Sequence, residues 1–161
     1  MAATLYLNFD GVLHPQRVCL QAGAKPRLLV PGHTLFENNP LLERVVDARP
    51  SVRVVLHTWW VPYFGYQFAT QQLPLAVRSR VVGATLPGNR TLRLTKRPLA
   101  PRREWLRADI ARRQPESPIL VDCEDGQVLA CLTDRALILH DGLGLSTSSL
   151  CEILIGLLDC I

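Results

Sequence analysis

Short apolar runs alternate with amphipathic segments along this chain, and the alternation predicts an α/β fold. Runs of strand length lie at residues 4–7, 51–56, 80–85, 118–122 and 136–140. Apolar residues at helical spacing predict helices between them, at residues 39–49, 62–72 and 102–114, and a final helix after residue 146. Strands that alternate with helices favour right-handed βαβ units. We therefore expect a Rossmann-like three-layer sandwich with a central parallel sheet of about five strands.

Three other segments have patterns of their own. Residues 17–22 and 27–30 are apolar-rich and flank a turn, which predicts a β-hairpin. The helix that follows is expected to have Asn39 as its N-cap and Pro40 at its first position, and to end before Pro50. Residues 86–101 carry several proline, glycine and basic residues, so they are predicted to form a loop and are a candidate binding segment.

Polar side chains follow the first predicted strand directly. Residues 4–7 are succeeded by Asn8, Asp10 and Gly11. Open α/β sheets bind ligands at the carboxyl ends of their strands, so we expect Asn8 and Asp10 to project into one site. Gly11 allows the backbone to turn away sharply there. This strand end is the feature around which the rest of the chain is interpreted.

Composition narrows the class of protein. The chain has 161 residues, 48% of them hydrophobic, and a formal net charge of +4, which is typical of a globular protein. We expect one domain over residues 1–161. The apolar runs fall short of the roughly 20 residues that a membrane-spanning helix needs, and the first residues lack the basic region of a signal peptide. These features argue against a membrane protein and predict a cytoplasmic location, with the oligomeric state left open.

Cysteine spacing and charge distribution add two further constraints. The five cysteines form no Cys-x-x-Cys pair, which argues against a disulfide framework and against a zinc site. Positive charge is concentrated between residues 78 and 113, where eleven basic residues accompany two acidic ones, Glu104 and Asp109. A basic segment of this kind fits a polyanionic partner.

Four segments resemble, in order, the motifs of the haloacid dehalogenase (HAD) superfamily. LYLNFDGVLHP resembles motif I, which is a strand followed by Asp-x-Asp-Gly, and VLHTWW resembles motif II with Thr58 as its hydroxyl residue. ILVDCEDG resembles motif IV with Asp122 as its first acid, and Arg102 fits the cation of motif III, with Lys96 as the alternative. The sequence is similar to small, capless bacterial members of the superfamily. The predicted hairpin falls where these proteins have a flap, and it is too short to hold a cap domain.

Motif I departs from the superfamily pattern at its first acid. The resemblance makes Asp10 the general acid and base, but it places Asn8 where the family has its nucleophilic aspartate. A carboxamide is a very poor nucleophile, and it is a weaker Mg²⁺ ligand than a carboxylate. Two explanations remain open from the sequence: a natural binding-only member, or an aspartate-to-asparagine change that traps a resting state.

The resemblance implies a Mg²⁺-dependent phosphomonoester hydrolase. Its implied catalytic residues are Asn8, Asp10, Thr58 and Arg102. Its implied metal ligands are Asn8, Asp10 through the backbone carbonyl, and Asp122, assisted by Glu124 or Asp125. We expect little or no turnover with Asn8 in place, and activity restored by Asn8→Asp.

An open site beside basic residues suits a large phosphorylated substrate, such as a nucleic-acid end or a phosphoprotein. The alternative hypothesis is a catalytically silent module that holds a phosphate or a nucleic-acid end on the same scaffold. The two hypotheses differ in whether Asn8→Asp gains activity.

Overall fold

A five-stranded parallel sheet forms the centre of the molecule, seen in a computed structural model that describes residues 2–86 and 99–159. The strands are β1 Ala3–Leu7, β2 Val18–Cys19, β3 Arg27–Leu28, β4 Arg53–Leu56, β5 Val81–Ala84, β6 Ser117–Asp122 and β7 Ala136–Ile138. The order in the sheet is β5-β4-β1-β6-β7, with every neighbouring pair parallel. The predicted parallel sheet is confirmed, and β1 lies at its centre.

Within the described residues, six α-helices flank the sheet. They are α1 Asn39–Ala48, α2 Trp60–Phe64, α3 Tyr66–Gln71, α4 Leu75–Arg78, α5 Arg102–Arg113 and α6 Ser148–Asp159. Alternation along β1 divides the core: Leu5 and Leu7 pack in one buried cluster with residues of α1 and α6, whereas Tyr6 packs in a second cluster with Leu106 of α5. Helices therefore lie on both faces, which confirms the three-layer arrangement.

The predicted flap is also present. Strands β2 and β3 pair antiparallel, with Val18 opposite Leu28, and they form a separate two-stranded sheet. Among the described residues, this hairpin and its flanking turns are what the chain inserts between β1 and α1. The fold is thus a HAD-type α/β domain without a large cap.

Local details of the helices differ from the predictions. Asn38, not Asn39, lies at the N-cap of α1, and its side chain donates to the carbonyl oxygens of Val12 and Leu143 instead of capping the helix. The single helix predicted for residues 62–72 is divided between α2 and α3. The division falls at Gly65, which has φ +93°, a conformation that glycine adopts readily.

Helix α5 is anchored by the buried carboxylate of Asp109. The apolar pattern of this helix predicts that Ala108 faces inward with Trp105, Leu106 and Ile110, but Ala108 is exposed and Asp109 is buried instead. Asp109 accepts a hydrogen bond of 3.1 Å from the Tyr6 hydroxyl and pairs with Arg112 and Arg113. Burial, and then the charge of Asp109, raise the pKa of Tyr6 well above its usual range, so the phenol stays neutral. This contact fixes α5 against β1 and with it the position of the first helical residue, Arg102.

Most of the predicted loop at residues 86–101 lies outside the described residues, which omit 87–98. Within residues 2–86 and 99–159, no helix is long and apolar enough to cross a membrane.

Candidate active site

The residues singled out from the sequence meet at the carboxyl edge of the sheet. Asn8 follows β1, Thr58 follows β4, Asp122 ends β6, and Arg102 begins α5. All four are buried, whereas the side chain of Asp10 is 21% exposed. Parallel strands end at the same edge, so this convergence follows directly from the topology. The exposed carboxylate of Asp10 gives the cluster its access to solvent.

The amide of Asn8 lies between two other site residues. Its Nδ2 donates to the main-chain oxygen of Asp10 at 3.0 Å and to Asp122 Oδ1 at 3.2 Å. Its Oδ1 accepts from the backbone N–H of Phe9 at 2.9 Å. Rotating the amide by half a turn would set oxygen against two oxygens and –NH₂ against an N–H group, so these partners fix its orientation.

Arg102 and Asp122 form a buried, bidentate ion pair. Nη1 of Arg102 is 2.8 Å from Asp122 Oδ2, and Nη2 is 3.2 Å from Asp122 Oδ1. Nη1 also donates to the His57 carbonyl and Nη2 to Glu124 Oε2. Burial alone would lower the pKa of Arg102, but the hydrogen bond and charge of Asp122, with the charge of Glu124, raise it above its ordinary value. Arg102 therefore stays charged and holds Asp122 in place.

The Asp10 carboxylate is held by two buried side chains, His14 and Trp60. Its Oδ1 accepts from His14 Nε2 at 2.8 Å and from the Trp60 indole Nε1 at 2.9 Å. Nδ1 of His14 in turn accepts from the backbone N–H of Phe36 at 3.2 Å, so the proton of neutral His14 lies on Nε2. His14 and Trp60 are fully buried. They orient a carboxylate that is otherwise open to solvent.

Thr58 is joined to Asp10 through Trp60. The Thr58 hydroxyl oxygen accepts from the backbone N–H of Trp60 at 3.2 Å, while the indole of the same residue donates to Asp10. Because its oxygen is used as the acceptor, the hydroxyl proton of Thr58 is available for another oxygen. A hydroxyl with a free proton can donate to a phosphoryl oxygen.

A second set of buried polar contacts surrounds His57, the residue after β4 whose carbonyl accepts a hydrogen bond from Arg102. His57 is within hydrogen-bond distance of Thr85 Oγ1 at 3.0 Å and of Gln127 Oε1 at 3.2 Å, and Gln127 donates to Glu124. Burial, followed by the charge of Arg102, lowers the pKa of His57 to about 3. His57 is therefore neutral near pH 7, and it contributes hydrogen bonds rather than charge.

Gly11 and Cys123 pack closely beneath the site. Gly11 has φ +76°, and a Cβ placed on it would lie 2.5 Å from the sulfur of Cys123. The Cys123 thiol is 3.3 Å from the main-chain oxygen of Asp10, and burial together with the charges of Asp122 and Glu124 raises its pKa to about 12. Glycine is thus required at position 11 by both backbone conformation and space, and Cys123 is a protonated packing residue.

Sequence reasoning missed some of these contacts. Sequence alone favours local hydrogen bonding or packing for His14, and its contact with Asp10 is such a local hydrogen bond. The sequence favours packing for Trp60, whose indole also donates to Asp10. A buried indole N–H usually finds an acceptor, and that rule was the signal available for Trp60. Gln127 had no such signal, because its contacts depend on how the chain folds after β6. Of the two acids offered as partners of Asp122, Glu124 joins the cluster through Arg102, whereas Asp125 pairs with the exposed His140. Lys96 lies outside the described residues.

The oxygens around Asn8 do not fit Mg²⁺ as the chain stands. The Asn8 nitrogen, not its oxygen, faces the main-chain oxygen of Asp10 and Asp122 Oδ1. Oδ1 of Asp122 also accepts from the backbone N–H groups of Cys123 and Glu124, and Arg102 contacts both carboxylate oxygens. Mg²⁺ requires oxygen ligands at about 2.1 Å in near-octahedral order. In residues 2–86 and 99–159, no group of three or more His, Cys, Asp or Glu side chains is arranged to hold a metal ion.

The part of the predicted basic segment that is described is largely paired within the chain. Arg102, Arg107, Arg112 and Arg113 each contact a carboxylate. Arg78, Arg80 and Arg103 donate to backbone carbonyls. The remaining basic residues of that segment lie outside the described residues, at positions 90, 93, 96 and 97. The described arginines therefore stabilise the fold as well as adding positive charge to its surface.

The fold and the ordered cluster together define a HAD-like domain, and a comparison with protein families identifies which one. A model of the HAD domain in Swiss Army Knife RNA repair proteins matches residues 4–150. The chain belongs to this family. Comparisons with curated proteins and with solved structures gave no significant match.

Proposed function

We propose that this chain is a phosphomonoester hydrolase domain of the HAD type that recognises phosphorylated RNA ends and whose chemical step is blocked at Asn8. The convergence of Asn8, Asp10, Thr58 and Arg102 with Asp122 carries the proposal, because each is the residue that motif order assigns to this edge. Membership in a family named for RNA repair supports a nucleic-acid substrate. We take residues 1–161 as one such domain, and the cytoplasmic location stays a prediction.

The proposed roles follow from position and chemistry. Asp10 is the general acid and base, since it is the accessible carboxylate and is oriented by His14 and Trp60. Thr58 supplies a hydroxyl to a phosphoryl oxygen. Position 8 is the nucleophile position, and Asn8 cannot perform that step because its amide is neutral and its nitrogen is bonded to Asp122.

Restoring a carboxylate at position 8 completes the reaction. In the Asn8→Asp variant, that carboxylate attacks phosphorus, the ester P–O bond breaks, and Asp10 donates its proton to the leaving oxygen. Asp10 then removes a proton from the water that attacks the bound phosphoryl group, which releases inorganic phosphate and frees the carboxylate. HAD domains generally use Mg²⁺, and we propose that the variant, with its additional carboxylate, requires it.

Arg102 can reach a phosphate by exchanging one partner. Both of its terminal nitrogens are engaged, and Glu124 is the partner most open to solvent, with its side chain 49% exposed. A phosphate oxygen that replaces the Glu124 carboxylate would keep the bond between Arg102 and Asp122. We therefore propose that Glu124 competes with the substrate for Arg102.

Hydrolysis assays test the proposal. Wild type and Asn8→Asp are compared on p-nitrophenyl phosphate and on RNA oligonucleotides phosphorylated at either end, with and without Mg²⁺. We expect release of phosphate by Asn8→Asp and none by the wild type. Asp10→Asn added to Asn8→Asp should abolish it, and the control Asn39→Asp, the same chemical change on α1, should stay inactive. Equal activity of the wild type and Asn8→Asp would refute the assignment of position 8.

A second candidate function is a silent module that binds a phosphate or RNA end. The hydrogen bonds of the Asn8 amide favour this binding function. They provide donors to the Asp10 main-chain oxygen and to Asp122 although position 8 carries no nucleophilic carboxylate. This second candidate predicts that Asn8→Asp gains no hydrolysis, while binding of phosphorylated RNA persists and weakens steeply with salt.

A further inference from the structure

An aromatic cleft is formed between the hairpin and helices α2 and α3. Its cavity has a volume of about 390 Å³, within the range of roughly 300–1,000 Å³ that is usual for ligand pockets. We call it the aromatic cleft; it is lined by Gly23, Ala24, Lys25 and Pro26 of the hairpin and by Tyr63, Phe64 and Phe68 of α2 and α3. Phe68 is 38% exposed, although large apolar side chains are usually buried.

The aromatic cleft is connected to Asp10 through one side chain. The ring of Phe68 stacks on the Trp60 indole, with centroids 6.5 Å apart and planes at 16°. The same indole donates to Asp10 at 2.9 Å. In the proposed reaction Asp10 protonates the leaving oxygen, so the leaving group lies on the Asp10 side of the phosphorus. For a phosphorylated RNA end that leaving group is the terminal nucleoside.

The lining of the cleft matches a nucleobase with an attached phosphate. Phe68 offers an aromatic face that any base can stack on, whatever its sequence. Lys25 is exposed at the turn of the hairpin, and none of the described residues lining the cleft is acidic. A neighbouring cavity of about 400 Å³ shares Phe64 and Phe68 and is also lined by Gln67 and Gln71, whose amides can hydrogen-bond to base edges.

We propose that the aromatic cleft binds the terminal nucleobase of a single-stranded RNA end, stacked on Phe68, with a backbone phosphate beside Lys25. The inference rests on the proposed function, since it assigns the leaving group of that reaction. Under this proposal, the terminal base contributes to the affinity for RNA in addition to the phosphate.

The test measures binding to the wild-type chain, which is expected to hold substrate without turnover. Fluorescence anisotropy compares a phosphorylated single-stranded oligoribonucleotide with one whose terminal nucleotide is abasic. We expect the abasic RNA to bind at least about five-fold more weakly, as loss of one stacked base predicts. Phe68→Ala should weaken binding of the intact RNA similarly and leave binding of the abasic RNA unchanged. Phe68→Trp should retain affinity, and the control Leu75→Ala, which changes a side chain 75% exposed on α4, should have no effect.

Equal affinity of the wild type for intact and abasic RNA would overturn the inference, and this comparison needs no variant to fold. Unchanged affinity in a folded Phe68→Ala protein would overturn it as well. Failure of the proposed function has a different signature, which is the absence of p-nitrophenyl phosphate hydrolysis by Asn8→Asp.

Discussion

Asn8 donates a hydrogen bond to Asp122 across 3.2 Å, and this contact joins the first and last motifs of the site through a neutral amide. The same nitrogen binds the main-chain oxygen of Asp10. Two oxygens that the family resemblance implied as Mg²⁺ ligands thus accept hydrogen bonds from the Asn8 –NH₂ group. Because an –NH₂ group already donates to these oxygens, the site does not fit Mg²⁺.

Exchanging this amide for a carboxylate should make folding stability depend on Mg²⁺. Asn8→Asp places a second negative charge beside Asp122 and sets oxygen against two oxygens, so we expect the free energy of unfolding to fall by about 1–3 kcal/mol without metal. Adding Mg²⁺ should raise the melting temperature of Asn8→Asp more than that of the wild type, because ligands stabilise the state that binds them. Differential scanning calorimetry measures both effects, with Asn39→Asp as the control. An equal Mg²⁺ shift in wild type and Asn8→Asp would contradict the role given to the amide.

The indole N–H of Trp60 should matter for proton transfer. Adding Trp60→Phe to Asn8→Asp keeps an aromatic ring but removes one donor to Asp10, so we expect kcat to fall roughly ten-fold, within the contribution that general acids make. KM should change little, since the proposed hydrogen bond from Thr58 to the phosphate does not involve the indole. Steady-state kinetics on p-nitrophenyl phosphate tests this, and Trp59→Phe is the matched control because its ring packs on Trp105. A fall in kcat of the same size for Trp59→Phe would assign the effect to packing.

Because His57 is buried in its neutral form, we expect the free energy of unfolding to decrease at acidic pH. Its pKa is about 3 in the folded chain and about 6.5 when unfolded, so below pH 6.5 the unfolded state binds more protons. The stabilising contribution is complete above pH 6.5 and is lost as the pH falls toward 3, by at most about 1.4 kcal/mol per pH unit. Urea denaturation between pH 7 and pH 4 measures it. The wild type should lose more stability than His57→Gln over this interval, and parallel curves would show that His57 does not contribute.

Removing the Tyr6 hydroxyl should weaken the anchor of α5. Tyr6→Phe leaves the buried carboxylate of Asp109 with one donor fewer, so we expect a loss of about 1–3 kcal/mol in the free energy of unfolding. Chemical denaturation measures the loss. Tyr63→Phe is the control, because Tyr63 lies in the aromatic cleft and not in this contact. A change of no more than 0.3 kcal/mol, about the error of such measurements, would show that Arg112 and Arg113 suffice for Asp109.

The strands and the order of site residues were predictable because apolar periodicity and chain order determine them. Residues 4–7 form a short apolar run, so β1 could be placed at a buried position, and polar residues after the strands marked the edge where they converge. Side-chain contacts between distant segments were not predictable. Asp109 is one of two acids in the basic segment of residues 78–113, but its partner Tyr6 lies on a strand that sequence spacing does not connect to α5.

The orientation of the Asn8 amide was likewise not predictable from the sequence. The sequence showed that a carboxylate was missing, but the identity of the atom facing Asp122 depends on three partners, among them the backbone N–H of Phe9. Asn38 and Asn39 differ by one position in their distance from Pro40, and local propensity does not distinguish them as N-caps. Hydrogen bonds between segments distant in sequence determine both the orientation of the Asn8 amide and the position of Asn38.

Chemical trapping tests the central claim, that position 8 is the nucleophile position of a phosphohydrolase, most directly. Asn8→Asp is mixed with a phosphomonoester carrying a radiolabelled phosphoryl group, quenched in acid and digested, and the labelled peptide is identified by mass spectrometry. We expect label at position 8 in this variant and none in the wild type. Hydrolysis by the variant without label at position 8, or label elsewhere in the chain, would contradict the account.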